Sequence, residues 1–280
     1  MAKFLMVQGT TSDAGKSLVV TGLCRLFKNM GYKVAPFKAQ NLTSNGFVTS
    51  EGLEMGKAQV LQAEAAGVKP MAKMNPLLIK PLGPGNLKVL ALGKEWISPD
   101  GRPYKEHKDY FGALLFESLD SLARDYDIVV IEGAGSPAEI NIKDGDLVNM
   151  FIAKMVNAPV LLVSDIERGG VFASLVGTLT LLDPVEEDLV KGLIINKFRG
   201  NMDLILDGVS KLEQITEKPV IGVIPYMDVD IEPEDSLSRS KSGSDMVYSD
   251  EFREKQYEIL AKGIEENLDI SLILSMMGIK

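Results

Sequence analysis

Six short apolar runs punctuate the chain: "KFLMVQ" at 3–8, "KVAPFK" at 33–38, "YDIVVIE" at 126–132, "APVLLVSD" at 158–165, "VKGLIINK" at 190–197 and "KPVIGVIP" at 218–225. Most are near-continuous Val, Ile and Leu, the pattern of strands covered on both faces. Between them, apolar residues recur at helical spacing over 17–29, 54–66, 146–155 and 203–215. Strands alternating with helices predict an α/β fold with a mostly parallel sheet flanked by helices. Ligands of such sheets bind beyond the carboxyl ends of the strands. Polar residues gather at those ends: Lys38 closing the second run with Gln40 and Asn41 just beyond, Glu132 closing the third, Asp165 closing the fourth with Arg168 beyond, and Asn196 and Lys197 closing the fifth.

The pattern breaks after Pro225. "DVDIEPEDSLSRSKSGSD" is rich in Asp, Glu and Ser and poor in large apolar residues, as a linker or mobile loop would be. Beyond it, "SDEFREKQYEILAKGIEENLD" opens on a Ser-Asp cap and places Phe252, Ile259, Leu260, Ile264 and Leu268 at helical spacing. This predicts a docked helix or helix pair, too small to fold alone. The organisation expected is therefore 1–235 as the main domain, 236–248 as the linker or loop and 249–280 as a helical tail.

Composition narrows the function classes. A formal net charge of −9 leaves no excess of Lys and Arg for general binding of nucleic-acid phosphates. One cysteine in 280 residues precludes an intramolecular disulfide and fits a reducing compartment. No run is long enough for a membrane span, and the first residues enter a strand directly. A cytoplasmic protein that binds neither nucleic acid nor membrane is the expectation.

The chemistry begins at "GTTSDAGKS". The stretch Gly9, Thr10, Thr11, Ser12, Asp13, Ala14, Gly15, Lys16 and Ser17 follows a strand and opens a helix, the context in which backbone N–H groups surround phosphate oxygens. Lys16 would bridge the β- and γ-phosphates, and the Ser17 hydroxyl would hold Mg²⁺. Five residues separate Gly9 from Gly15, one more than in the common G-x-x-x-x-G-K-[ST] loop. Glu132, at a strand end before glycines, could hold Mg²⁺ opposite Ser17; the alternative is a strand-end acid paired to a lysine. Lys38 could stabilise a transferred phosphoryl group or lie solvated. Glu139 and Asn141 stand at a spacing suited to a substrate-facing loop. Arg168, beside Asp165, could bind a carboxylate bidentately or form a surface ion pair. Asn196 could read an adenine edge. Glu54 is a candidate second metal contact, while Glu51, Gln59, Gln62 and Glu64 are expected to be mostly solvated.

The lengthened loop resembles that of the dethiobiotin synthetase superfamily. Partition and cell-division ATPases of related type carry an extra early lysine, and none lies between Gly9 and Gly15. In order, "QGTTSDAGKS", "PFKAQN", "EMGKAQVLQAEAAG", "MNPLLIKP", "EGAGSPAEIN", "LVNM", "DIERGGVFAS" and "NKFRG" resemble the cobyric acid synthase family over roughly residues 3 to 235. The resemblance implies an ATP-dependent amide ligase using ATP and Mg²⁺. Its corrinoid substrate would be adenosylcobyrinic acid a,c-diamide, amidated at the b, d, e and g carboxylates through acyl phosphates. It implies Lys16, Lys38 and Glu132 in catalysis; Gln40, Asn41, Glu139, Asn141, Asp165 and Arg168 on the substrate; the glycine loop with Asn196 and Lys197 on the nucleotide; and a homodimer.

The chain departs from the family in one respect. Its members carry a C-terminal glutaminase domain with a cysteine nucleophile and a histidine base. Here stand only Cys24, expected in a helix core, and His107, expected exposed at a helix start. Ammonia would then come from solution or from a separate glutaminase. A dethiobiotin synthetase-like ligase and a partner-regulated nucleotide switch are the alternatives.

Overall fold

The computed structural model describes residues 2–44, 46–83, 86–231 and 249–279. The expected linker over 236–248 lies outside the described residues. From the amino end come strand β1 (Lys3–Gly9), helix α1 (Lys16–Asn29), strands β2 (Val34–Phe37), β3 (Gln40–Leu42), β4 (Gly46–Val48) and β5 (Glu54–Gly56), and helix α2 (Lys57–Ala65). Strands β6 (Leu77–Gly83), β7 (Asn86–Ala91) and β8 (Lys94–Glu95) precede helix α3 (Lys108–Asp125), strand β9 (Ile128–Glu132) and helix α4 (Met150–Val156). Then follow strand β10 (Val160–Asp165), helices α5 (Val171–Leu181) and α6 (Pro184–Leu189), strand β11 (Val190–Phe198), helix α7 (Asp203–Thr216) and strand β12 (Val220–Pro225). Helices α8 (Asp250–Asn267) and α9 (Ile270–Met276) close the described chain.

The six apolar runs form one parallel sheet in the order β12-β11-β10-β1-β9-β2. Side chains alternate across it. Met6 enters one core with Phe37, Ile131 and Leu162, whereas Leu5 and Val7 enter the other with Val20, Leu23 and Val130. Covering both faces is what permits the uninterrupted Val and Ile runs. A smaller sheet, β3-β6-β7-β8, and the hairpin β4-β5 stand beside it.

Two expected helices begin later than their periodicity suggests. Within 54–66, Glu54 to Gly56 is a strand paired with Gly46 to Val48, and the Gly56 N–H donates to Asn75 Oδ1 at 2.9 Å, so the helix starts at Lys57. Within 146–155, the Asp146 carboxylate accepts from the N–H groups of Val148, Asn149 and Phe151 at 2.8, 2.9 and 3.2 Å. That turn delays α4 to Met150. Both cases show side chains capturing backbone donors that a helix would otherwise use.

The tail docks on the main sheet through α1 and β12. Ser249 Oγ caps α8 by accepting from the Phe252 N–H at 3.2 Å, as its sequence predicts. Leu260 and Ile264 are fully buried, and a Cβ on Gly22 of α1 would lie 2.6 Å from Ile264 Cγ1. A Cβ on Gly222 of β12 would fall 1.9 Å from the Asn267 carbonyl oxygen. Arg25 of α1 is 5% exposed and donates to Glu254 and Glu258 at 2.6 Å each. Tyr257 Oη donates to Glu64 of α2 at 3.0 Å. Hence α8 ties α1 to α2. Removing the Ile264 side chain beyond Cβ leaves a cavity in this seam, so Ile264→Ala is expected to cost about 2–5 kcal/mol. Equilibrium urea denaturation against the unaltered chain measures it.

Candidate functional site

The strand order decides the site. Because β9 lies between β1 and β2, the loop after β1, Glu132 at the end of β9 and Lys38 after β2 come side by side. The loop bends through left-handed backbone at Asp13 (φ 59°) and Gly15 (φ 95°) before α1. Gly15 is required twice over. Its φ disfavours a side chain, and an added Cβ would lie 2.1 Å from Asn196 Nδ2. Lys16 Nζ donates to the carbonyls of Thr11 (2.9 Å) and Gly135 (3.1 Å), so it crosses the loop. Thr10 is pinned from beneath, with Oγ1 2.9 Å from Ser164 Oγ.

Glu132 is 1% exposed and fully engaged. Its Oε1 accepts from Ser17 Oγ and Lys38 Nζ, both at 2.8 Å. Its Oε2 accepts from Gln62 Nε2 at 2.5 Å and Gln59 Nε2 at 3.4 Å. Burial pushes the carboxyl upward, but the Lys38 ammonium and the hydrogen bonds from Lys38, Gln62 and Ser17 outweigh it and hold the pKa below its ordinary 4.5. The carboxylate is therefore ionised, and both readings left open for it meet in one place: it faces Ser17 and is paired to a lysine. Lys38 is buried with it rather than solvated.

These groups open onto a cavity of about 990 Å³. Ser12, Asp13, Gly15, Lys16, Ser17 and Glu132 form one wall, and Lys38, Gln40, Asn41, Glu139, Asn141 and Lys197 also line it. The loop after β9 is shaped by Asn149, whose Oδ1 accepts from the Ala134 N–H at 3.1 Å while Nδ2 donates to the Ala134 carbonyl at 2.7 Å. Gly9, Thr10, Thr11 and Ala14 contribute backbone to the loop.

Four expected site residues lie elsewhere. Glu54 pairs with Lys80 on the smaller sheet, because the strand it occupies carries it away from the phosphate loop; it does not line the cavity. Asp165 pairs with Lys197 at 2.8 Å, and Arg168 reaches Asp13 at 3.8 Å on the exposed flank of the loop. Neither lines the cavity with Glu139 and Asn141, Asp165 being engaged by Lys197 and Arg168 lying on the outer side of Asp13. Asn196 spends its amide on the chain: Nδ2 donates to the Ala14 carbonyl at 2.9 Å, and Oδ1 accepts from the Lys197 N–H at 2.9 Å. Lys197 adds a bond to the Asp13 carbonyl at 2.7 Å. This pair braces the phosphate loop.

The reading of Gln59 and Gln62 as solvated is also overturned: both are fully buried under Glu132. Their i, i+3 spacing puts both amides on one helix face, a signal present in the chain and missed because isolated polar helix residues are usually wet. Asp146, just before "LVNM", and Asn149, within it, shape the loop after β9 through bonds to backbone, a role that residue type and spacing alone do not signal. Cys24 is buried as expected, and burial, with Glu132 nearby, pushes its thiol pKa up. His107 is less exposed than expected, packed edge-on against Trp96 at 5.0 Å between ring centres.

A glycine loop between a central parallel strand and a helix, with a lysine, a serine and a strand-end carboxylate, defines a P-loop nucleotide-binding protein. Residues 5–237 match the family model described as CobQ/CobB/MinD/ParA nucleotide binding domain, and the chain belongs to that family. Within it, the chain is 54% identical over 238 residues to the cobyric acid synthase of Caldanaerobacter subterraneus subsp. tengcongensis, covering 85% of this chain and 47% of that protein. It is 52% identical over 234 residues to the cobyric acid synthase of Yersinia enterocolitica, covering 84% and 46%. The similarity read from the motifs is thus borne out, and the chain spans about half the length of the curated relatives it matches. Among solved structures, the signal recognition particle receptor FtsY from Elizabethkingia anophelis shares the fold at a TM-score of 0.50 and 18% identity, over 92% of this chain and 65% of that one. No helix of the described residues is long and apolar enough to cross a membrane.

The Glu132 environment generates a stability prediction. Glu132→Gln keeps the shape but takes the counter-ion from the buried Lys38, so about 3–5 kcal/mol should be lost at pH 7. A carboxyl with a lowered folded pKa contributes its full stabilisation above its ordinary 4.5 and loses it as pH falls through the folded value. The gap between variant and wild type should therefore be constant from pH 5 to 7 and shrink below pH 4.5. Urea titrations across that range measure it.

Proposed function

We propose that this chain is the ATP-dependent ligase half of a corrinoid amidation reaction. The observation that carries the reading is the cluster of Lys16, Ser17, Lys38 and Glu132 at one end of a cavity far larger than a phosphate group needs. The cavity's outer loop supports it. Glu139 and Asn141 line the cavity together with Ile142, which is 54% exposed. A large macrocycle with an apolar plane and a polar rim offers matching chemistry to such a wall.

The residues fit Mg²⁺. Ser17 Oγ and Glu132 Oε1, 2.8 Å apart, are hard oxygen donors. Among the described residues there is no group of three or more His, Cys, Asp and Glu that could hold a metal alone. The remaining ligands would be phosphate oxygens and water, as Mg²⁺ commonly takes. When bound, the ion would neutralise charge on the β- and γ-phosphates. The loop N–H groups hold the phosphates at the positive end of α1. Lys16 spans them. Lys38, paired with Glu132 at 2.8 Å and lining the same cavity, would stabilise the charge of the transferred phosphoryl group.

In the proposed reaction a substrate carboxylate oxygen attacks the γ-phosphorus, giving an acyl phosphate and ADP. Ammonia then attacks the acyl carbon, phosphate leaves, and the nitrogen loses a proton to give the amide. No covalent bond to the chain is needed; positioning and charge carry the step. The substrate proposed is adenosylcobyrinic acid a,c-diamide, amidated at its b, d, e and g side chains. Ammonia is supplied from solution or by a separate glutaminase, and a homodimer is the assembly proposed.

The test is amidation of adenosylcobyrinic acid a,c-diamide with Mg-ATP, read by mass spectrometry, with ammonium chloride or glutamine as nitrogen source. Stepwise gain of amides with ammonium but not with glutamine is expected, and Lys16→Met should lower kcat/KM by about 10²–10³-fold. ATP binding with no amidation from either source would overturn the reading and leave the nucleotide-switch alternative.

A further inference from the structure

The mechanism above uses only one edge of Glu132. The other edge, Oε2, is held by two glutamines of α2 that no step of the reaction touches. Both are fully buried, which is costly for an amide. The cost is visible in Gln62. Its Nε2 donates to Glu132, but its Oε1 finds no hydrogen-bond partner among the described residues. That unsatisfied carbonyl is unfavourable, so what the position supplies is the 2.5 Å bond from Nε2 to Glu132. Gln59 is itself oriented, since its Oε1 accepts from Asn41 Nδ2 at 3.3 Å. Orienting this amide supplies a reason for Asn41 to stand at the rim.

We infer that Gln62 and Gln59 are positioning residues that fix the Glu132 carboxylate so that its Oε1 edge stays aimed at Ser17 and Lys38 for the metal. The inference rests on the reading of Ser17 and Glu132 as the metal-holding pair. The four donors to Glu132 then divide by edge. Ser17 and Lys38 donate to Oε1, the edge that would face the metal, and the two glutamines to Oε2. Without the glutamines, rotation of the carboxylate about its last side-chain bond would be opposed only by the groups on the metal-facing edge. The metal would then have to order the carboxylate as it binds, and its affinity would fall. Residues that orient a metal ligand from behind commonly have this effect.

The α2 helix is in turn held by the tail, through Tyr257 Oη to Glu64 at 3.0 Å and Arg253 to Glu64 at 3.2 Å. The glutamine platform is therefore anchored on both of its sides, by the sheet core and by α8.

Gln62→Met separates this role from a structural one, because methionine keeps the length and packing while removing both the donor and the orphaned oxygen. The measurement is binding of a fluorescent N-methylanthraniloyl ATP to the whole chain, titrated with Mg²⁺ after EDTA treatment, alongside the Tm. The Mg²⁺ half-saturation point should rise about 10-fold in Gln62→Met, with the Tm showing that the variant is folded at the assay temperature. Gln59→Met, losing the longer 3.4 Å contact to Glu132 together with the bond from Asn41, should show a smaller rise in the same direction. Affinity for the nucleotide without Mg²⁺ checks that the loop is intact. Should Gln62→Met fold poorly, Gln59→Met and Gln62→Ala carry the measurement. An unchanged Mg²⁺ response in folded variants, with or without a lower Tm, would overturn the inference and leave the glutamines a packing role. A wild-type chain that binds the nucleotide with no Mg²⁺ dependence would instead overturn the metal reading on which it rests.

Discussion

An ionised carboxylate buried at the end of a central strand is the constraint around which this molecule is arranged. Glu132 cannot stay charged in a closed interior unless each oxygen finds donors and a cation lies close. The donors come from three places: Ser17 at the start of α1, Lys38 beyond β2, and Gln59 and Gln62 on α2. Satisfying one side chain therefore fixes the approach of two helices and a neighbouring strand. The phosphate loop is held by the same framework, since α1 carries both the loop lysine and Ser17.

On the opposite flank a second set of contacts stiffens the loop. Asn196 and Lys197, at the end of β11, take the carbonyls of Ala14 and Asp13, turning those peptide oxygens toward the protein. Asp165 from β10 holds Lys197 in place. Lys197 sits in left-handed backbone (φ 61°), a conformation unusual for a side-chain-bearing residue and maintained here by its bonds to two neighbours. The loop is thus gripped between a carboxylate network on one side and a brace on the other, and its N–H groups need little reorganisation to receive phosphate.

Helix α8 explains how elements distant in sequence hold this geometry. It fits so closely over Gly22 and Gly222 that side chains at those positions would collide with it. Its acids grip Arg25 of α1, and its tyrosine reaches Glu64 of α2. The two helices that donate to Glu132 therefore share one external strut.

The sequence by itself determined what depends on local pattern. Continuous apolar runs specify strands buried on both faces, alternation with helices specifies a parallel sheet, and Gly15-Lys16-Ser17 after a strand specifies a phosphate loop, because each follows from backbone geometry and nearest neighbours. Lys38 and Glu132 were legible as strand-end charges for the same reason. Strand order was not legible, and strand order decided which of those ends meet. It put Glu132 between the loop and Lys38, while their pairings with Lys197 and Asp13 keep Asp165 and Arg168 off the cavity wall. It also turned Gln59 and Gln62, polar residues any helix could expose, into the floor beneath Glu132. Glu54 was lost to a strand by pairing with Gly46 to Val48. Local propensity chooses the elements. Only the long-range contacts, which no window of sequence contains, choose the partners of a buried charge.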